Sequence, residues 1–330
     1  MENKIANDIL NILFKYRRTL QKHRNCFQNC AKCHSQYITK ILAFIEKYEP
    51  ITFVLPAFPG KSPNLFKVIS HLPDMGEELA LKLLNQICEQ ITSIYPPGAK
   101  IKICSDGRVF SDIIGINENA ITEYQNAIIE MISDMKLSNL STFHLDDVSS
   151  ENNFTKLRED LMYHFGDTLE NLREKILLGS RLSSQQDHID AHRLYCGMTR
   201  FLVEDASYPG QTKSRNLIQK ESRAKAYQVI LRSNAWSELI AKRFPESVRL
   251  SIHPQSCGSK KLGIRLIGEE SWGTPWHGVV VKLNERFFLL KRIEAENLGA
   301  KLVYTSAGSP SYYELTEQEQ NYTSLSFSEA

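Results

Sequence analysis

No stretch of this 330-residue chain approaches the roughly 20 consecutive apolar residues that a bilayer-spanning helix requires. The N-terminus, MENKIANDILNILFKYRRTL, also lacks the unbroken apolar centre and small-residue cleavage site of a secretory signal. Together these absences lead us to expect a cytoplasmic protein with no membrane partner. An excess of charge of one sign is missing too. Forty basic residues against 38 acidic ones leave a net charge of +2, far from the basic excess of a dedicated nucleic-acid binder. Local basic patches can still hold a small anion such as a sugar phosphate. Cysteine is sparse and odd in number, seven in all, which suits thiols better than a disulfide framework. No internal repeat and no long low-complexity linker is present.

What is present is enough apolar residue, 42%, to bury a large core. Ile5, Ile9, Ile12, Leu13 and Tyr16 recur at helical spacing and predict a helix over 3–22. A second helix is expected near 36–48, then a short β-rich run, ITFVLP, at 51–56. Helix-like segments at 76–94 and 118–136 alternate with strand-like segments at 99–107 and 141–145. Strand, loop and helix repeated in this way predict a parallel sheet covered by helices. Residues 154–243 read as mostly helical, broken at Pro209-Gly210, and strand signals return at 247–253, 262–268, 278–283 and 286–292. Asn284-Glu285 links the last two as a hairpin. The expected fold is α/β: a Rossmann-like mixed sheet flanked by helices, with a helical insertion and an antiparallel C-terminal part. The expected organisation is an N-terminal helical segment (1–50), an α/β catalytic domain (51–315) containing the insertion at about 154–243, and a mobile tail (316–330).

Ligands of such sheets bind beyond the carboxyl ends of the strands, so the loops there are where chemistry is expected. In Pro56-Ala-Phe-Pro-Gly-Lys-Ser-Pro-Asn64, three prolines restrict the backbone around Lys61, Ser62 and Asn64. A lysine beside a hydroxyl suits a phosphate or carboxylate, and an ordinary rigid turn explains the pattern equally well. In Cys104-Ser-Asp-Gly-Arg-Val-Phe-Ser-Asp112, Asp106 is a candidate acid/base, and Arg108 and Asp112 are candidate substrate-binding groups. The bland reading is an Asp-Gly turn with an internal salt bridge. In Val248-Arg-Leu-Ser-Ile-His-Pro254, alternation puts Arg249, Ser251 and His253 on one face of a strand, and Lys260 and Lys261 follow in a loop. In Thr274-Pro-Trp-His277, His277 stands beside Trp276 at a strand start. It is either a proton-transfer group or a hydrogen-bonded structural histidine.

Cys26-x3-Cys30-x2-Cys33 has the spacing of a radical S-adenosylmethionine iron–sulfur site, and His34 extends it to a possible three-cysteine, one-histidine zinc site. The three positions also share one face of a continuing helix, where buried thiols are unremarkable. No repeated β/α barrel array accompanies them, and structural thiols are the preferred reading.

Taken together and in this order, FVLPAFPGKSPN, SDGRVFSD, VRLSIHP and TPWHGVVV resemble the isocyanide (isonitrile) synthases of the pyoverdine/dityrosine-biosynthesis family. The resemblance runs from about Ile51 to Tyr304 and includes the helical stretch around Tyr195 and Arg200. The glycine of FPGKSPN stands where the resemblance leads one to expect a larger or more variable residue. The resemblance implies an enzyme that condenses the amine of an L-amino acid, tyrosine or tryptophan, with the ketone of D-ribulose 5-phosphate. The ketone carbon becomes the isocyanide carbon, and neither a metal nor a redox cofactor is expected. His277, His253 and Asp106 are then the proton-shuttling candidates, with Lys61 as a further catalytic candidate or an anion clamp. Ser62, Asn64, Arg108, Asp112, Arg249, Ser251, Lys260 and Trp276 are the candidate substrate contacts, Trp276 lining the aromatic pocket. The only partners expected are small molecules and a downstream oxygenase acting on the isocyanide. An iron–sulfur radical enzyme and a non-catalytic sugar-phosphate-binding protein are the alternatives.

Overall fold

The computed structural model describes residues 2–20, 30–149, 153–181, 184–267 and 273–315. Helices α1 (Glu2–Lys15) and α2 (Ala31–Lys47) precede β1 (Ile51–Leu55). Then α3 (Met75–Thr92) leads to β2 (Ala99–Cys104), and α4 (Gly107–Ile114) with α5 (Glu118–Asp134) leads to β3 (Leu140–Phe143). Next come α6 (Phe154–Phe165), α7 (Leu169–Ser180), α8 (Gln186–Ala206) and α9 (Arg215–Arg243), then β4 (Val248–Ser251) and β5 (Leu262–Gly263). A 3-10 turn at Pro275–His277 opens the last unit: β6 (Val279–Leu283), β7 (Arg286–Leu290), α10 (Arg292–Asn297), β8 (Lys301–Tyr304) and β9 (Pro310–Leu315).

The first five strands form one sheet in the order β3-β2-β1-β4-β5, with every pairing parallel. Alternation along a strand decides what each face meets. Phe53, Leu55, Ile101 and Ile103 turn to a core shared with α1, α2, α3 and α5. Val54 and Cys104 turn the other way, against Trp236, Leu239 and Ile240 of α9 and Leu157 and Leu161 of α6. The sheet is therefore covered on both sides, as an all-parallel sheet must be. The strand order reverses between β1 and β4, the point beyond whose carboxyl ends such sheets bind their ligands.

The Rossmann-like α/β reading describes this body. Two details differ from the expectation. The C-terminal strands make a separate sheet, β7-β6-β9-β8, and it is mixed, because β6 and β9 run parallel. Its β6–β7 hairpin turns at Asn284, which takes the left-handed backbone (φ 54°) that such a turn demands. The first helix ends at Lys15, short of the expected residue 22, because the chain beyond it pairs instead. Arg17 bridges to Ile264, Thr19 to Gln255, and the Arg18 guanidinium donates to the Ile252 carbonyl at 2.7 Å. Among the described residues no helix is long and apolar enough to cross a membrane. The expected tail, 316–330, lies outside the described residues.

Candidate active site

The loop after β1 is fixed before any ligand arrives. Gly60 has φ +119°, and a Cβ there would meet Ile121 Cδ1 at 2.9 Å, so the backbone itself favours glycine over the larger residue expected at this position. Lys61 is buried, and its Nζ lies 2.8 Å from Asp74 Oδ2, 2.7 Å from Glu77 Oε2 and 3.1 Å from the Pro275 carbonyl. Burial alone would lower the lysine pKa, but the two carboxylates outweigh it and hold it above its ordinary value. Burial pushes Glu77 up to about 7, and the Tyr124 hydroxyl donates to its other oxygen. With its charge and donors consumed in this way, Lys61 is neither a phosphate clamp nor an open amine nucleophile in this arrangement. It ties the loop to the Pro275–His277 turn, and so does Ser62, whose N–H donates to the Trp276 carbonyl at 2.8 Å.

That turn presents His277. Trp276 is fully buried against Phe58, with ring centroids 5.2 Å apart, so it supports the turn rather than lining an aromatic pocket. The His277 ring packs 4.1 Å from the Phe201 ring, whose surroundings also include Lys67 Nζ, 4.6 Å from its centroid. Burial, with Lys67, His253 and Lys61 adding positive potential, holds the His277 pKa well below that of an ordinary histidine. The imidazole is therefore neutral, and its Nδ1 is buried without a hydrogen-bond partner. A neutral ring with one unsatisfied nitrogen can exchange a proton with a ligand.

Helix α8 crosses over these groups. Near its C-terminal end, Asp205 accepts from Ser62 Oγ at 2.9 Å and pairs with Lys67 at 2.5 Å. Asn64 Nδ2 donates to the Glu204 and Ser207 carbonyls at 3.2 and 3.3 Å. Near its other end, Gln186 and Asp190 bond Ser256, in the loop after β4. Across its 21 residues only Leu202 is buried, although the helix packs between neighbours. His192 Nδ1, midway along it, is buried without a hydrogen-bond partner.

The β4 wall has the opposite electrostatics to the Lys61 cluster. Arg249 Nη2 and Lys261 Nζ both donate to Ser237 Oγ, at 2.6 and 3.0 Å. Burial is the main cause that lowers both pKa values, Lys261 to about 8, and the Arg249 charge lowers Lys261 further; Glu238 offsets this only in part. Arg249 Nε has no hydrogen-bond partner. Ser251 Oγ shapes the strand exit by accepting from the His253 N–H at 3.1 Å. His253 is exposed at its surface, and the protein packed around it, with Arg18 and Lys261, holds its pKa below that of an ordinary histidine. Lys260 is exposed on the loop beyond.

One strand away, Asp106 ends β2. Gly107 packs so close to the preceding loop that a Cβ would lie 1.7 Å from the Pro59 carbonyl oxygen, so only glycine fits. Asp106 Oδ1 is buried without a partner, and burial raises its pKa to about 7. A carboxyl group poised near neutrality can act as acid or base. Arg108 does not join it. Being the second residue of α4, it turns to α5 and bonds Glu118 at 2.7 Å and Thr122 at 2.7 Å, with Asp146 at 3.4 Å and the Phe154 ring 3.9 Å beneath. Asp112 pairs with Arg232 and Arg158 on the outer side of α4. These two expected substrate contacts therefore belong to a structural ion network, and the internal salt bridge of the bland reading is what forms.

Comparison with known proteins places this geometry. The model of the pyoverdine/dityrosine biosynthesis protein family matches residues 41–303. The chain belongs to that family. An L-tryptophan isonitrile synthase of Fischerella ambigua is 43% identical over 316 residues, covering 95% of this chain and 93% of that protein. An L-tyrosine isonitrile synthase of Pseudomonas aeruginosa is 41% identical over 322 residues, covering 95% of each. The crystal structure of the PvcA protein from Pseudomonas aeruginosa superposes with a TM-score of 0.87 at 40% identity, covering 94% of this chain and all of that one. Among the described residues of this pyoverdine/dityrosine family member the strands form two open sheets and no radical-enzyme barrel, which argues against the iron–sulfur radical reading; Cys26 of its motif lies outside the described residues.

For this family member, sequence reasoning missed Lys67, Asp205, Phe201, Asp74 and Glu77. Asp74 and Glu77 did carry a signal, the Asp-x-x-Glu capping box at the start of α3. Phe201 and Asp205 carried none, because they lie within a charge-rich helix whose inner face cannot be read from its composition.

Proposed function

We propose that this chain is an isonitrile synthase that converts the amino group of an aromatic L-amino acid, tyrosine or tryptophan, into an isocyanide, with D-ribulose 5-phosphate supplying the carbon. The observation that carries the reading is the pairing, on one edge of the sheet, of two proton-exchanging groups with a cationic wall that its neighbours do not neutralise. The 40–43% identity to isonitrile synthases over nearly the whole chain supports the enzyme class.

Condensation of amine and ketone, tautomerisation and carbon–carbon cleavage each move protons near neutral pH. Neutral His277 can take a proton at Nδ1, and Asp106, titrating about pH 7, can take or return one. The sugar phosphate is assigned to Arg249 and Lys261, where its charge would relieve the repulsion between the two cations. His253, largely neutral at that pH, stands beside them as a hydrogen-bonding group. Lys61, Ser62 and Asn64 position these parts. An oxygenase acting on the isocyanide is the expected consumer of the product.

The test is incubation with a panel of amino acids and ribulose 5-phosphate labelled at the ketone carbon, followed by mass detection. Retention of the amino nitrogen together with one sugar label in an isocyanide product is the expected result. Isocyanide formed without the sugar label would refute the donor. Tight binding of the sugar phosphate without turnover for any amino acid would favour the non-catalytic binder.

A further inference from the structure

We propose that Cys30, Cys33 and Cys257 form a thiolate site for a zinc ion, which pins the N-terminal helices to the loop that carries His253. The three residues come from opposite ends of the chain. Cys30 is the N-cap of α2 and Cys33 lies in its first turn, whereas Cys257 sits in the loop after β4. Their Sγ atoms lie within 4.8 Å of one another, and both Cys30 and Cys33 are 3.5 Å from Cys257. Zinc–sulfur bonds of about 2.3 Å in tetrahedral geometry set sulfur atoms about 3.8 Å apart, so an ion fits with little movement. None of the three is in a disulfide.

The surroundings also supply donors to the sulfur. The Arg17 guanidinium donates to Cys33 Sγ at 2.8 Å, and the Gly258 N–H donates to the same sulfur at 3.3 Å. A guanidinium at that distance is placed to support a metal-bound sulfur. Cys30 and Cys33 flank the N-terminus of a 17-residue helix, whose dipole favours negative charge. Donors to a ligand atom from beyond the metal are the usual support of a metal site. Binding would release a proton from each sulfur that is still a thiol and would need no oxidant. Three protein ligands leave one coordination position open.

The sequence pattern alone gave no zinc site across this fold, since spacing within 26–34 cannot reveal Cys257. The fold supplies a purpose as well. Among the hydrogen bonds that hold the loop from Ile252 to Lys261 are those from Arg18 and Tyr37, the latter donating to the Ser259 and Lys261 carbonyls. An ion would fix the same loop at Cys257, four residues beyond His253. The site stands apart from the proposed proton-transfer groups, so it can fail while that reading survives.

The test is metal analysis of the full-length protein, produced in zinc-supplemented medium and desalted without chelator. About one zinc per chain is expected, falling below roughly a tenth in Cys33→Ser and Cys257→Ser and persisting in Cys196→Ser, which alters an exposed thiol on α8. Mercurial titration of the wild type should release the ion to a colorimetric chelator in step with the blocking of the three thiols. Cobalt substitution should give the sulfur-to-metal absorption of thiolate ligation. The wild-type measurement stands whether or not the variants fold. Less than roughly a tenth of an equivalent in the wild type, with the thiols reacting at once, would overturn the proposal. So would one equivalent of iron in place of zinc, or a native mass two hydrogens short that reveals a Cys257 disulfide.

Discussion

Arg108 and Arg249 both lie in or next to strands of the same parallel sheet, and the fold treats them in opposite ways. Arg108 is almost completely buried and is met by the carboxylates of Glu118 and Asp146, with a hydroxyl and an aromatic face alongside. Arg249 is answered by a serine rather than a carboxylate, and has Lys261 close enough to lower that lysine's pKa. A cation whose charge is balanced within the protein holds elements together. A cation left unbalanced beside another cation stores repulsion that an arriving anion relieves. The same contrast separates the two raised carboxyls: Glu77 faces Lys61, whereas Asp106 faces no cation that its pKa registers.

The largest effects should come from the proton-exchanging groups. His277→Gln and Asp106→Asn are each expected to lower turnover by roughly 10²–10⁴-fold with the fold intact, measured as kcat on purified variants. Near-normal turnover in the Gln variant would reduce His277 to a brace for its strand. Asp106→Asn should also make the protein more stable at pH 8. The folded pKa of Asp106, about 7, exceeds the unfolded value, so its ionisation costs stability as pH rises through 7. The variant removes that cost, by roughly 1–3 kcal/mol in chemical denaturation. A loss of stability at pH 8 would break the account of the uncompensated carboxyl.

Next come the balanced cations. Lys61→Met strands two buried carboxylates and should destabilise by about 3–5 kcal/mol in urea unfolding. Arg108→Met leaves the partly exposed Glu118 and Asp146, the former still paired with Arg158, and should cost less, about 1–3 kcal/mol. An Arg108→Met protein of normal stability with a raised KM for the sugar phosphate would invert the comparison. Arg249→Met should do the reverse of Arg108→Met: KM for the phosphate-bearing substrate should rise roughly tenfold to a hundredfold, with stability nearly unchanged. The smallest effect is expected at Asp112, the exposed member of its ion pairs. Asp112→Asn should cost less than about 1 kcal/mol and leave KM unaltered.

How much of this was legible in the sequence follows from where each signal is generated. The Arg249–Ser251–His253 stripe could be read because alternation along a strand is local. The body of the sheet could be read because its strands are apolar runs separated by helical periods. Arg108 was misjudged because Asp-Gly-Arg at a strand end suggests a ligand loop. In fact Gly107 packs on Pro59 and starts a helix at once, which swings the next side chain to α5. Trp276 was misjudged because an indole beside a histidine looks alike whether it lines a pocket or fills a core. Strands β8 and β9 escaped because half-exposed alternation in KLVY and PSYYEL is too weak to stand out without the β6 partner.

The hydrogen bond from Lys61 to the Pro275 carbonyl spans 214 residues of chain. During synthesis, the loop after β1 leaves the ribosome long before the turn that presents His277. The first sheet can form before His277 is in place, because domains and their parts fold in the order they emerge. Until then Lys61, Asp74 and Glu77 hold one another, which keeps three ionised groups from sitting uncompensated in a half-built protein. Long-range closure of this kind is slow. The nascent chain is thus expected to be a folded but inert body, and activity arrives only when the second sheet docks.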